Sequence, residues 1–333
     1  MKGRPKGRPF MLFVHAVGYT SPRMVAYTIR RVLLMVPTLF FVALITFSLA
    51  HAAPGGPFDK DENKKLPQQI EDNLRRYYGL DEPLPQQFLR YLCNALQLDF
   101  GKSIQRNRSV NEIIGQGLPV TAQLGIQALL LALLIALPLG ILSALKQNSG
   151  VDYGSLFLAT IGTTIPSFVI AILFIYIFGV WLRLLPFVGW GEGFDIRRMI
   201  MPTVILALPG AAFLTRITRA SMLEALGQDY VRTARSKGLA ERTVIIQHAL
   251  KNALIPVATI VGPATAGLIT GSFIIETLFS IPGIGRLYII SINARDYPII
   301  MATTLLYAFL IVIANLSVDL VYGALDPRIK VGS

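Results

Sequence analysis

Six long stretches without a charged residue are the feature that most constrains this chain. They cover residues 32–58, 113–145, 153–182, 199–215, 252–275 and 297–318. Because a helix needs about 20 predominantly apolar residues to cross a bilayer, these stretches predict a polytopic membrane protein. The composition agrees, since only 15% of the 333 residues are charged, against about a quarter in a soluble domain. A water-soluble enzyme with one large core is excluded, and so is a disordered or disulfide-rich chain.

The basic residues are distributed unevenly among the segments between these stretches. Residues 1–31 hold seven basic residues and no acidic one, and residues 216–251 hold seven basic against three acidic residues. Residues 51–118 instead hold nine of each sign. Because cytoplasmic loops carry the excess of Lys and Arg, the alternation predicts six spans with both termini in the cytoplasm. The net charge of +12 then reflects topology, and nucleic-acid binding is not expected.

The predicted architecture is an all-α membrane protein with a small external subdomain. Along the chain we expect a basic tail at 1–23, a first span at 24–50, the external subdomain at 51–118, a membrane core at 119–325 and a cytoplasmic tail at 326–333. Within the core, further spans are expected at about 119–145, 155–181, 199–216, 252–275 and 299–322, with a cytoplasmic coupling region at 217–251. In the external subdomain, residues 66–78 and the spacing of Phe88, Leu92 and Leu96 predict two amphipathic helices.

The segment 217–251 is too long for a simple connection and has a helical periodicity of its own. One predicted face combines Leu223, Leu226, Tyr230 and Ala234. Gly238 ends this helix and can take the positive φ of a tight turn, and a second amphipathic helix follows over about 241–250. The pair predicts a protruding cytoplasmic elbow. An interfacial helix pair lying on lipid head groups would have a similar composition, so both interpretations stay open on these residues alone.

No motif for a catalytic, nucleotide or metal site is found in the sequence. Gly101-Lys102-Ser103 resembles the end of a phosphate-binding loop, but Leu96 stands where that pattern requires its first glycine. The three histidines lie far apart in different segments, which gives no ligand cluster, and the single cysteine, Cys93, excludes an internal disulfide. We expect Cys93 to be a small buried residue. No catalytic residue, metal or cofactor is expected in this chain.

The sixth span contains the polar residues Asn315 and Asp319. Intramembrane acids are usually functional, so both residues are candidates for a transport pathway. Asp319 also lies near the predicted cytoplasmic end of its span, where solvation or pairing with Arg328 would give it a purely structural role.

An ordered set of motifs resembles the permease subunits of ABC importers, and the peptide-importer branch most of all. The motifs are Ala53-Pro54-Gly55-Gly56-Pro57, Ala144–Asn148, Ile165–Phe168, Tyr230–Leu239, His248–Pro256, Phe279-x-x-Pro282-Gly-Ile-Gly285, Arg295-Asp296-Tyr297 and Asp326-Pro327-Arg328. The resemblance covers about residues 24–330, so Met24 is an alternative start. The wider importer signature begins Glu-Ala-Ala where this chain has Arg232-Thr233-Ala234 and has a proline where this chain has Lys251, and the peptide branch shares both departures.

This resemblance implies a permease of the bacterial inner membrane with the ABC importer permease fold. The implied partners are a second, homologous permease, two cytoplasmic ATPase subunits that bind ATP and Mg, an extracytoplasmic substrate-binding protein and membrane lipid. Contacts to the ATPase are expected at Tyr230, Arg232, Thr233, Ala234, Gly238 and His248. An outer gate or a dock for the binding protein is expected at Pro282, Gly283, Ile284 and Gly285, together with the segment 51–118.

The implied substrate is a peptide, and the details at residues 54–58 and 146–148 favour oligopeptides. Importers of dipeptides, glutathione, nickel and oligosaccharides share the scaffold. A secondary transporter driven by an ion gradient is the alternative from another class, and it would be expected to carry polar or charged residues near the middle of corresponding spans. The charge-free stretches of the four middle spans argue against it. An intramembrane enzyme would need a Ser/Lys, paired-Asp or HExxH arrangement within its spans, and none is present.

Overall fold

The computed structural model describes the backbone of residues 22–53, 55, 69, 73, 75–76, 78–191, 195–269 and 272–325, and their side chains except at 22–27, 259, 262–269 and 318–325. Most of the predicted helix at 66–78, most of the basic tail and the tail 326–333 lie outside these residues. The described part of the chain is helical, apart from its turns, loops and one isolated antiparallel bridge between Lys102 and Ser109. The predicted all-α class is confirmed.

Twelve α-helices are named here in chain order. They are α1 Pro22–Ala52, α2 Leu84–Leu96, α3 Val110–Leu145, α4 Gly150–Thr164, α5 Ser167–Phe174, α6 Ile196–Gly227, α7 Asp229–Ser236, α8 Glu241–Thr243, α9 Lys251–Ile269, α10 Phe273–Leu278, α11 Ile284–Asn293 and α12 Tyr297–Leu325. A π-helical segment continues α5 over Ile175–Trp181, and another joins α8 to α9 over Val244–Leu250.

Four of these helices, α1, α3, α6 and α12, are long and apolar enough to cross a bilayer. The bent pair made by α4 and α5 with its π-helical continuation gives a fifth span if it is counted as one. Helix α9 adds 19 helical residues, which correspond to about 28 Å of helix length. The described residues therefore form a polytopic membrane protein with four to five apolar spans.

The predicted third span, 155–181, is not one straight helix. Helix α4 ends at Thr164, and α5 begins at Ser167 with its axis turned by 101°. Between them Ile165 has extended backbone angles, φ −81° and ψ 125°. Pro166 explains the break, because its ring disfavours helical angles at the residue before it and its nitrogen has no hydrogen to donate to the helix.

Two spans extend beyond the bounds predicted from the uncharged stretches, and the fifth, predicted at about 252–275, ends earlier, with helix α9 at Ile269. Helix α3 begins at Val110, inside the segment assigned to the external subdomain, and α6 continues to Gly227, eleven residues beyond the predicted end at 216. The 32 residues of α6 correspond to about 48 Å, which exceeds the roughly 30 Å hydrocarbon core of a bilayer. One end of α6 therefore extends beyond the apolar region and leads into the predicted elbow.

Helices α3 and α6 form the central pair of the bundle. Their contact is lined by small residues, Ala128, Ala132, Ala207 and Ala211. Further along, a Cβ atom on Gly140 of α3 would lie 2.6 Å from the Cβ of Thr218 on α6. Small side chains let two helix backbones approach closely and gain van der Waals contact, which is how helices associate in a membrane where the hydrophobic effect does not favour it.

Candidate coupling elbow and outer loop

Helix α7 is attached to the rest of the bundle by one apolar face. Val231 and Ala234 are buried, with exposed fractions of 0% and 3%. They belong to a core with the ends of α3 and α6 and the start of α9, formed by Ala144, Met222, Ala225, Val244, Ala249 and Ala253. We call residues 228–240 the elbow. The apolar face of the elbow thus shares one core with three long helices.

The opposite face of α7 is polar and exposed. Tyr230, Arg232 and Thr233 all lie on it, and the side chain of Arg232 is 72% exposed. Its guanidinium group lies 3.6 Å from the carboxylate of Asp229, a pair of the exposed kind that contributes little to stability. This face therefore does little for the fold of the chain and is available to a partner.

The turn after α7 has the hydrogen bonds of a Schellman motif. The backbone N–H of Gly238 donates to the carbonyl of Arg235 at 2.9 Å, and that of Leu239 donates to the carbonyl of Ala234 at 3.4 Å. This motif requires a left-handed residue after the helix, and Gly238 has φ +72°. No atom lies within 4 Å of a Cβ built on Gly238. The glycine is therefore required by backbone geometry and not by crowding.

An ion pair joins the two sides of this turn. The guanidinium group of Arg235 donates to the carboxylate of Glu241 from Nε at 3.2 Å and from NH2 at 2.7 Å. These hydrogen bonds and the positive charge of Arg235 hold the pKa of Glu241 below its ordinary value. The same hydrogen bonds and the negative charge of Glu241 raise the pKa of Arg235. A bidentate pair of this kind fixes geometry as well as adding energy, so it holds the start of α8 against the end of α7.

The structure brings together most of the predicted coupling residues, with two differences. Ala234 faces the core, so it anchors the elbow and does not lie on the exposed face. His248 is half-buried on the π-helical segment before α9. The predicted continuous helix from Leu223 to Ala234 is interrupted, because Gln228 has extended angles, φ −75° and ψ 151°, and a new helix begins after it. The prediction that Tyr230 shares a face with Ala234 was therefore wrong, since Tyr230 is exposed and Ala234 is buried.

A buried ion pair beside the elbow was not predicted from the sequence. The carboxylate of Asp152, 1% exposed, accepts hydrogen bonds from Nε of Arg219 at 2.6 Å and from NH2 at 2.7 Å. It also accepts from the hydroxyl of Ser143 at 2.5 Å and from the backbone N–H of Asn148 at 2.9 Å. One carboxylate thus joins α3, the short loop after it, α4 and α6. The available signal was that Asp152 and Arg219 lie at or near the ends of neighbouring uncharged stretches.

The predicted outer gate or dock lies where α10 is followed by α11, in a segment that we call the outer loop (residues 279–285). This loop is folded around a buried carboxylate. Glu276 of α10 has an exposed fraction of 0%. Its carboxylate accepts hydrogen bonds from the hydroxyl of Thr121 on α3 at 3.0 Å and from the backbone N–H of Arg286 at 3.1 Å. The same Thr121 oxygen accepts from the N–H of Ile284 at 2.8 Å. Since a buried charge is costly unless it is hydrogen-bonded, these partners hold the loop in one position against α3.

The glycines of this loop are required by close approach. A Cβ atom on Gly283 would overlap the Glu276 carboxylate and the Thr121 hydroxyl, and one on Gly285 would lie 3.0 Å from the same carboxylate. Gly283, Ile284 and Gly285 are buried, and Pro282 is exposed. Of the four predicted residues, Pro282 alone is therefore placed to touch a docking partner, and the others hold the loop in the bundle.

The candidate pathway residues of α12 are only partly described. Asn315 is half-buried. The side chain of Asp319 lies outside the described residues. In the described part of the chain, His, Cys, Asp and Glu side chains form no group of three that could hold a metal ion.

Two protein-family models match the chain. One is described as a binding-protein-dependent transport system inner membrane component and matches residues 136–331. The other describes the N-terminal part of a binding-protein-dependent transport system membrane component and matches residues 24–125. Together they match most of the chain, including the elbow and the outer loop.

Curated relatives are similar over nearly their whole length. The chain is 42% identical to the dipeptide transport system permease protein DppB of Bacillus subtilis (strain 168) over 308 residues, which are 92% of this chain and 98% of the relative. It is 41% identical to the oligopeptide transport system permease protein OppB of Escherichia coli (strain K12) over 92% of this chain and 100% of the relative.

A solved structure has a similar fold. It is a chain of an inward-facing MetNI methionine ABC transporter, with a TM-score of 0.52 and 15% sequence identity. The match covers 64% of the present chain and 96% of the other. At this identity the similarity concerns the fold alone.

Proposed function

Because this chain belongs to the family of binding-protein-dependent transport system inner membrane components, we propose that it is the permease subunit of an ATP-driven importer of peptides. In this role it forms half of the translocation pathway and does not hydrolyse ATP itself. The names of the two relatives support a peptide substrate. The sequence details at residues 54–58 and 146–148 favour oligopeptides, and dipeptides, glutathione, nickel and oligosaccharides are the alternatives.

The observation that carries the proposal is the geometry of the elbow. Its apolar face is fixed to the ends of α3, α6 and α9, while its polar face is exposed. The sequence has no nucleotide-binding motif of its own, so the energy for transport comes from a partner. An exposed surface rigidly joined to three membrane helices is suited to receive that energy as movement.

The proposed partners supply the energy and the substrate that this chain does not provide itself. Two cytoplasmic ATPase subunits bind ATP and Mg, and one of them receives the exposed face of α7, with contacts at Tyr230, Arg232, Thr233 and Gly238 and a contribution from His248. A second, homologous permease completes the pathway. An extracytoplasmic substrate-binding protein delivers the peptide near Pro282 and the segment 51–118.

The proposed orientation places six spans in the inner membrane with both termini in the cytoplasm. It rests on the alternation of basic and neutral segments and on the length of α9, which supplies the sixth span beside the five apolar units described above. In this orientation α6 carries the elbow into the cytoplasm, and the outer loop around Glu276 faces the other side. Asn315 and Asp319 remain candidates for polar groups of the pathway.

Site-specific photo-crosslinking tests the proposed docking surface. A benzoylphenylalanine residue is introduced in place of Arg232, and the irradiated membranes are analysed for adducts. We expect an adduct with a subunit that binds ATP. Arg30, which is also basic and exposed and lies on the same side in the proposed orientation, provides the matched control and should give no such adduct. Adducts with lipid alone from position 232 would contradict the proposal and favour an interfacial helix.

A further inference from the structure

Helix α2, between the first and second long helices, packs against α1 through an aromatic cluster. Phe88 is buried, and the centre of its ring lies 5.8 Å from that of Phe40 and 5.3 Å from that of Phe47. Ala43 of α1 and Met301 of α12 complete the cluster. Helix α2 is therefore held directly against two helices that are long and apolar enough to span a membrane.

The two residues of α1 that Phe88 contacts indicate how deep α2 lies in the membrane. Phe40 and Phe47 lie twelve and five residues before the end of α1 at Ala52, which is about 18 Å and 8 Å along the helix axis. Phe88 touches both rings, so it lies beside the apolar run of α1 and not beyond its end. Since a hydrocarbon core is about 30 Å thick, this part of α2 lies at the depth of one leaflet.

The two flanks of α2 differ in chemistry. One flank repeats at helical spacing and is apolar and exposed, formed by Pro85, Leu89, Cys93 and Leu96. Leu89 is 59% exposed and Leu96 is 86% exposed. Cys93, expected from the sequence to be buried, is exposed on this flank, because the face that packs on α1 carries Phe88 instead.

The other flank is polar and faces a cavity. Gln87, Arg90 and Asn94 line this cavity of about 480 Å³, together with Asp99 and Lys102. The guanidinium group of Arg90 pairs with Glu82. The side-chain amide of Gln87 donates to the carbonyls of Leu80 at 3.2 Å and Glu82 at 2.7 Å. The polar groups of Gln87, Arg90 and Asn94 thus lie on the side away from the exposed leucines.

We propose that α2 is an interfacial helix embedded in the leaflet where α1 ends, with its apolar flank against lipid acyl chains. A helix with one apolar and one polar flank binds a membrane in this orientation. Helix α1, against which α2 packs, also has an exposed apolar surface, where Phe41, Ile45 and Leu49 are 57%, 57% and 67% exposed. Lipid is the occupant that covers both surfaces at once.

The native cysteine tests this placement directly, because Cys93 lies on the apolar flank and is the chain's only cysteine. The full chain, purified with the subunits that accompany it, is spin-labelled at Cys93 in nanodiscs of phosphatidylethanolamine and phosphatidylglycerol. Collisions with oxygen, which concentrates in lipid, are compared with collisions with the water-soluble nickel chelate NiEDDA. We expect oxygen to relax the label more strongly than the nickel chelate does.

Two variants in a Cys93→Ser background calibrate the measurement. Leu49→Cys places the label on the exposed face of α1, and Arg106→Cys places it in an exposed polar loop. The label at Cys93 should be relaxed more strongly by oxygen, as the label at Leu49→Cys is. It should differ from the label at Arg106→Cys, which the nickel chelate relaxes more strongly. Strong relaxation by the nickel chelate would mean that α2 faces water, and weak relaxation by both agents would mean that a protein partner covers it. Either result overturns the proposal, and neither bears on ATP-driven transport or on orientation.

Discussion

Gly238 is required by the backbone geometry of its turn and is also a proposed contact to the ATPase. Its φ of +72° is strained for any β-branched side chain, at a cost of roughly 1–3 kcal/mol. We predict that Gly238→Val leaves insertion and expression intact, because no span is altered, but weakens co-purification of the ATPase subunits and abolishes ATP-dependent uptake. Uptake and ATPase retention are measured on the same membranes.

Gly101 offers a matched control for this substitution. It also has a positive φ, +73°, with no atom within 4 Å of a built Cβ, and it lies in the loop before α3, far from the elbow in the chain. Gly101→Val should therefore carry a similar backbone strain without loss of the ATPase subunits. Normal uptake by a well-expressed Gly238→Val protein would mean that the elbow does not couple the two subunits.

Gly283 is the corresponding test residue in the outer loop. Gly283→Ala would push the new Cβ into the Glu276 carboxylate and the Thr121 hydroxyl, and overpacking of this kind costs about 1–3 kcal/mol. We predict a lower thermal stability and reduced uptake, with the ATPase subunits still bound. Gly115→Ala is the control, because a Cβ there meets no atom within 4 Å. Equal thermal midpoints for the two variants would show that the loop is not held around Glu276.

At the scale of helices, the pair of Asp152 and Arg219 joins α4 to α6 beside the elbow. Breaking a buried ion pair by removing one partner costs about 3–5 kcal/mol, and the 20% exposure of Arg219 places this pair toward the lower figure. We predict that Asp152→Asn clearly lowers the thermal midpoint of the purified complex. The control is Glu112→Gln, which removes an exposed i,i+4 pair with Arg108 and should cost only about 0.3–0.5 kcal/mol. Equal effects of the two substitutions would contradict the structural role.

The long helices could be predicted from the sequence, whereas their breaks could not. A charge-free run of about twenty residues has few alternatives to a helix in a membrane, because every backbone polar group must be satisfied internally. Proline did not identify the breaks, since Pro119 and Pro138 lie within continuous α3 while Pro166 separates α4 from α5. Tertiary packing decides which prolines bend a helix.

The buried polar contacts could not be predicted because they are distant in the sequence. Asp152 and Arg219 are 67 residues apart, and Thr121 and Glu276 are 155 apart. The positions of Asp152 and Arg219 at or near the ends of uncharged stretches mark the two residues but do not show that they pair. The elbow was easier to predict from the sequence, because helical periodicity and a glycine are local signals. The structure confirms that Gly238 has the positive φ that its turn requires.

At the scale of the whole molecule, the proposed orientation predicts opposite labelling of two engineered cysteines. In a Cys93→Ser background, Arg106→Cys should react with a membrane-impermeant maleimide in spheroplasts. Gln247→Cys, which is exposed beside the elbow, should react only after the membrane is opened. Because the basic segment 216–251 is assigned to the cytoplasm by its charge, labelling of position 247 from outside would contradict the six-span topology.

The proposed function requires that this chain transports peptides with energy from partner ATPases. The most direct measurement is accumulation of a labelled oligopeptide by proteoliposomes that contain the chain, its co-purified subunits and the substrate-binding protein. We expect accumulation only when ATP is present on the side of the elbow, and no effect of collapsing proton or sodium gradients. Uptake driven by an ion gradient without ATP would contradict it.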